Sequence, residues 1–156
     1  MTPNQTLHRS GALRDSRFSE AGRVYLVTTA TIERSPFFAD ARAAGCVLEA
    51  LDWLCERGRV DLHAAVVMPD HAHAVVGLVA WSLPRLMHSW KGYSAKSVNR
   101  MLDRSGTVWQ RQYHDHGIRN ERELQAAIEY CLHNPVRAGL VGNFHEYPFW
   151  RCKYQV

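Results

Sequence analysis

Two short apolar runs, Ala64-Ala65-Val66-Val67 and Val75-Val76-Gly77-Leu78-Val79, stand on either side of Met68-Pro69-Asp70-His71-Ala72-His73-Ala74. Runs of this length, bounded by a Pro-Asp turn signal, read as the two buried strands of a hairpin, over about residues 60–68 and 71–79. Side chains in a strand alternate with period two. His71 and His73 therefore leave one face of the sheet, and Ala72 and Ala74 leave the other. Two neutral imidazoles side by side on a rigid strand are half of a metal site. Two surface histidines would show the same spacing, but this pair sits in apolar sequence, where an uncompensated polar group is costly.

The rest of the composition bounds the problem. A chain of 156 residues fits one domain with a real core, and 46% hydrophobic with 22% charged residues is an ordinary soluble balance. No apolar run approaches the roughly 18 residues of a membrane span, and no N-terminal segment resembles a signal peptide. Cys46, Cys55, Cys131 and Cys152 form no C-x-x-C pair and read as reduced residues of a cytoplasmic protein. A formal net charge of +4 and a pI near 9.0 suit an anionic partner such as nucleic acid.

Along the chain, residues 1–21 are polar, with Arg9, Arg14 and Arg17, and read as a solvated or DNA-ordered basic arm. Residues 22–156 form the single domain. Arg23 to Thr31 is β-branched and aromatic, a first strand. Residues 39–57 read as a helix with Ala43, Val47, Ala50, Leu51 and Leu54 facing a core. His63 falls in the first hairpin strand. Residues 82–104 read as a second helix, with an apolar stripe from Leu83 to Met101 and a basic face. Val108 to Tyr113 alternates aromatic with basic or amide residues, as a fourth strand or a single-strand binding surface does. Residues 121–134 are the clearest helix, capped by Asn120 with Glu123 as its capping-box partner and ended by Pro135. The order predicts an α+β fold, a ferredoxin-like βαββαβ sandwich with an antiparallel sheet and an appended C-terminal helix. Helices would cover one sheet face and leave the other free for a ligand.

Tyr130 and Asn134, four residues apart, share one face of that last helix, at the border of core and solvent. With them the motifs form an ordered set: Val-Val-Met-Pro-Asp-His-Ala-His, Val-Trp-Gln, Ile-Arg-Asn and Ala-Ile-Glu-Tyr-Cys-Leu-His-Asn-Pro-Val-Arg-Ala-Gly-Leu-Val. This set, running from about residue 22 to 152, resembles the REP-associated tyrosine transposases, which belong to the single-tyrosine HUH transposases. The resemblance implies that His71 and His73 are the metal-binding pair, Tyr130 the nucleophile and Asn134 the polar residue that completes the metal site. Two departures stand out. Asp70 occupies a position where the family often has Asn, and Phe149-Trp150-Arg151-Cys152 replaces an aromatic-Ser-Ser ending.

The chemistry fits these parts. A phosphodiester is anionic and repels nucleophiles, and a divalent ion would offset the developing charge. Attack by a phenol oxygen would leave a covalent phosphotyrosine, joined to the 5′ phosphate in the family, with a free 3′-OH. The ligand types leave zinc open, while the family implies magnesium or manganese. It also implies single-stranded DNA with a palindromic hairpin as substrate, for a monomer or homodimer. Lys91, Arg100, Arg119 and Arg137 are the expected backbone contacts, Trp109 the stacking residue, and His116 is expected near the active site or DNA. The competing readings are a non-catalytic nucleic-acid-binding module of the same fold and a zinc-dependent hydrolase.

Overall fold

A computed structural model describes residues 22–156; the basic arm expected over 1–21 lies outside the described residues. The elements are β1 (Val24–Ala30), α1 (Ala41–Glu56), β2 (Val60–Met68), β3 (His71–Leu78), α2 (Leu83–Met101), β4 (His114–Ile118), α3 (Glu121–Arg137) and β5 (Trp150–Cys152). They build one five-stranded sheet of order β4-β1-β3-β2-β5, with every pairing antiparallel. Placing β1 between β3 and β4 is the split βαβ arrangement. Among the described residues no helix is long and apolar enough to cross a membrane.

The period-two alternation of β3 decides which side of the sheet does what. Ala72, Ala74 and Val76 join a core with Val47, Leu51, Leu86 and Trp90 of α1 and α2. Val75 faces the other way, into a smaller core with Leu26, Val66, Ala127 and Cys131. That second face carries His71 and His73, and it is not left free as expected: α3 lies across it. The apolar Ala127/Cys131 stripe of α3, with the half-buried Leu124 and Ile128 beside it, must be covered, and the second sheet face is what covers it.

Among the boundaries that differ from the sequence reading, three matter most; α2, expected to reach 104, ends at Met101. The edge strand is His114–Ile118, and within 108–113 only Trp109 forms a bridge, to Thr31. Trp109 is drawn into the helix-side core instead, 4% exposed, with its Nε1 donating to Ser94 Oγ at 3.0 Å. The short β5 follows a segment with no period-two signal long enough to read. Finally, α3 runs past Pro135 to Arg137, because Ala138 N still reaches Asn134 O and the helix closes in a Schellman motif. Gly139 N donates to Val136 O and Leu140 N to Pro135 O, with Gly139 at φ 75°. Beyond its chain neighbours, no atom of the described residues lies within 4 Å of a Cβ built at Gly139, so the cost of Gly139→Ala is conformational alone. Urea titration is expected to show a loss of about 1 kcal/mol.

The Asn120 cap forms, its side chain accepting from Glu123 N at 2.9 Å. The Glu123 carboxylate does not return the bond to Asn120; it accepts from Arg119 N at 3.1 Å and pairs with the Arg119 guanidinium at 3.3 Å.

Candidate active site

β1 and β3 pair so that Thr28 sits opposite His73. Opposite residues of an antiparallel pair share a face, and Thr28 Oγ1 meets His73 Nδ1 at 2.7 Å. His71, two residues earlier, has its Nδ1 2.7 Å from Asp70 Oδ1. A carboxylate only accepts, so His71 Nδ1 carries the hydrogen of this bond, and in the neutral ring the lone pair is then on Nε2. The two rings lie edge to face with centroids 4.8 Å apart. Among the described residues neither Nε2 takes a hydrogen bond.

Asp70 is fixed from two sides. Arg34 Nε lies 3.1 Å from Asp70 Oδ2, and Arg34 is held by a tight turn in which Glu33 and Arg34 have φ of 54° and 53°. Left-handed backbone at non-glycine residues costs on the order of 1 kcal/mol each, here spent beside the histidine pair. Burial alone would raise the Asp70 carboxyl, but the His71 bond and the Arg34 charge outweigh it and hold the pKa below the usual value.

His73 is 4% exposed. Burial, with smaller contributions from His71, Arg137 and Arg34, pushes its pKa down to about 3, so the ring is neutral at any working pH. The consequence for stability has a definite sign. Between an unfolded pKa near 6.5 and a folded one near 3, the unfolded chain binds a proton that the native chain refuses. Stability is therefore present above that window and is lost as pH falls through it, by about 1.4 kcal/mol per pH unit. His63, also lowered chiefly by burial, acts in the same direction. Urea midpoints measured in chelator are expected to fall from pH 7 to pH 4, less steeply in His73→Gln.

α3 brings the phenol to this pair. Cys131 Sγ donates to His73 O at 3.6 Å, seating that turn of the helix over β3. Tyr130, 37% exposed, sets its ring edge-on to His73 with centroids 5.3 Å apart. Two turns on, Arg137 lies 4.2 Å over the Tyr130 ring and donates from Nη2 to Tyr130 O at 2.9 Å. Asn134 stands one turn after Tyr130, partly buried, and its side-chain amide takes no hydrogen bond among the described residues. One chain thus brings His71, His73 and Tyr130 together, with Asn134 on the same helix. Thr28 and Arg34 were invisible in the sequence, since only the β1–β3 register and a strained turn place them here.

A family model described as transposase IS200-like matches residues 22–134. The chain belongs to the IS200-like transposase family. The REP-associated tyrosine transposase of Escherichia coli (strain K12) is 26% identical over 91 residues, which take in 57% of this chain and 52% of that protein. The chain thus spans about half the length of that curated relative. The structure of a REP-associated tyrosine transposase bound to a REP hairpin shares the fold. Its TM-score is 0.67 at 21% identity, over 86% of this chain and 79% of that one.

Within this family fold, the expected DNA contacts fare unevenly. Trp109 packs against Phe38 and Trp90, with centroids 5.1 and 6.3 Å away, and cannot stack on a base without leaving the core. His116 is 3% exposed on β4, opposite Leu26 and on the sheet face that α3 covers, so it shares the face of His71 and His73 but is buried from direct contact with DNA. Both corrections have one cause: alternation in an edge segment does not say which face is buried. The Lys91 ammonium donates to Gln110 O at 2.7 Å and Arg111 O at 3.1 Å, and burial lowers its pKa; it holds a loop. Arg119 pairs with Glu123, and Arg100 is exposed on α2, across the sheet from the histidines. Of the six, only Arg137 borders Tyr130. Trp109→Phe, which loses the Ser94 bond and leaves a void, is expected to cost about 1–3 kcal/mol in urea titration while leaving DNA affinity unchanged.

Proposed function

We propose that this chain nicks and rejoins single-stranded DNA at palindromic hairpins, through a 5′-phosphotyrosine at Tyr130 and with a divalent metal ion. The observation that carries this reading is the Tyr130 ring edge-on to His73, which in turn lies against His71, in one chain. The donor set fits a metal. Each imidazole has its Nδ1 occupied, by Asp70 or Thr28, which orients the ring and leaves Nε2 as the donor atom. His73 is neutral, as a ligand must be. Asn134 would add an amide oxygen. Among the described residues no group of three or more His, Cys, Asp or Glu is arranged to hold an ion, which disfavours a closed zinc site. Magnesium or manganese, bound by His71, His73 and Asn134, would neutralise charge on the phosphate.

The residues' own parts follow. Arg137 and His73 hold the Tyr130 ring in place. The phenol oxygen attacks phosphorus, its proton passing to water at this part-exposed site. The bond from phosphorus to the 3′ oxygen breaks, and that oxygen takes a proton from water and leaves as a 3′-OH. Asp70 is engaged by His71 and Arg34, so it orients His71 and does not take the phenol proton. Resealing is the reverse attack by a 3′-OH, with no nucleotide triphosphate consumed.

The test is a cutting assay on end-labelled hairpin DNA with manganese. The expected product has a 3′ end that a polymerase extends, and chelator abolishes it. Equal DNA retention with chelator and in His71→Ala, with no cutting, would instead identify a non-catalytic binding module.

A further inference from the structure

The ion pairs that lysine and arginine make among the described residues occupy Arg34, Arg42, Arg119, Arg151 and Lys153. Among the described residues, the outer face of the helix layer keeps cations that pair with no carboxylate. α2 carries Arg85, Lys96 and Arg100 and no acidic residue, and exposed Arg57 and Arg59 follow the end of α1. Three of these cations rest on aromatic rings. Arg57 lies 5.0 Å from the Trp53 ring centre, and Arg85 and Arg59 lie 4.3 and 5.1 Å from that of Trp81. Trp53 in turn stacks on Tyr93, with centroids 5.3 Å apart and planes within 10°, and the two are 38% and 47% exposed. On α1, Glu49 and Glu56 are exposed, while Asp52 is taken by Arg151.

Flat aromatic surface in water beside unpaired guanidinium groups is the chemistry that holds single strands: bases stack, and phosphates pair with the cations. A protein interface also favours Trp, Tyr and Arg, but the excess of positive charge on α2 calls for a polyanion. We propose that this face, built from Trp53, Tyr93, Arg57, Arg59, Trp81 and Arg85, is a second binding surface for single-stranded nucleic acid.

Its position makes it separate from the histidine pair. α1 and α2 lie across the sheet from His71 and His73. Arg59 and Trp81 flank Val60 and Leu78, the ends of β2 and β3 remote from His71, roughly 25 Å along the strand. A short oligonucleotide would occupy one surface, and only a longer strand passing round a sheet edge would occupy both. The inference draws on the nucleic-acid substrate proposed above, but not on cutting at Tyr130.

The test is fluorescence anisotropy of the full chain with labelled oligothymidine of about 30 nucleotides, in chelator so that nothing is cut, across a salt series. Arg57→Gln/Arg59→Gln/Arg85→Gln is expected to bind about tenfold more weakly, with the slope of log affinity against log salt flattened by about 2, at roughly 0.7 per phosphate lost. Trp53→Leu/Tyr93→Leu is expected to bind more weakly with its salt slope kept, because stacking releases no counterions. Circular dichroism establishes that both variants are folded, and cutting of a short hairpin by the arginine variant is expected to match the parent. Parental binding by both variants overturns the inference. So does loss of self-association in sedimentation without change in DNA binding, which would assign the face to a protein partner. A parent that binds but does not cut sinks the catalytic reading and leaves this one standing.

Discussion

Tyr130→Phe is expected to abolish the covalent DNA complex and to lower strand cutting at least about a thousandfold. The substitution is narrow. It removes one oxygen and keeps the ring, so the edge contact with His73 at 5.3 Å and the Arg137 guanidinium 4.2 Å above the ring persist. Tyr130 is 37% exposed, and its hydroxyl has no hydrogen-bond partner among the described residues. Folding stability and hairpin affinity should therefore match the parent, which separates loss of chemistry from loss of binding. Denaturing gels read the adduct and native gels read the affinity, on one preparation.

The second large effect concerns the histidines and their supports. His71→Ala should lose cutting by at least about a hundredfold, with no recovery at raised manganese, because a donor atom is gone. Asp70→Asn should fall short of that, by about 10–100-fold, and should recover in part as manganese is raised. An amide at position 70 still accepts from His71 Nδ1, but it no longer draws Arg34 by charge. His71 is the cleaner choice of the pair. His73 is buried against Thr28, so its removal leaves a hydroxyl without its partner and costs stability as well as function. Equal recovery of both variants by manganese would mean that His71 is not a donor.

Much of this was legible in the residues. The hairpin and the shared face of His71 and His73 followed from period two, and the α1 and α2 core stripes from period 3.6, except at Met101, which is exposed at the end of α2. The Asn120 cap was readable because capping chemistry is local. What failed was non-local. Trp109 looked like a stacking residue because an alternating segment presents the same pattern whether its aromatic side faces core or solvent. The continuation of α3 past Pro135 turns on Gly139, four residues beyond that proline. Thr28 could be joined to His73 only through the β1–β3 register, which sequence does not fix. The layer of α3 across the second sheet face is what turns two histidines and a distant tyrosine into one site.

The Tyr130 phenol oxygen is proposed to become the link to DNA. The most direct measurement is mass spectrometry of proteolytic peptides after reaction with hairpin DNA and manganese, followed by nuclease trimming. The account predicts a nucleotide adduct on the peptide that contains Tyr130, attached through a 5′ phosphate. An adduct mapped to another residue, attachment through a 3′ phosphate, or efficient cutting with every peptide unmodified would contradict it.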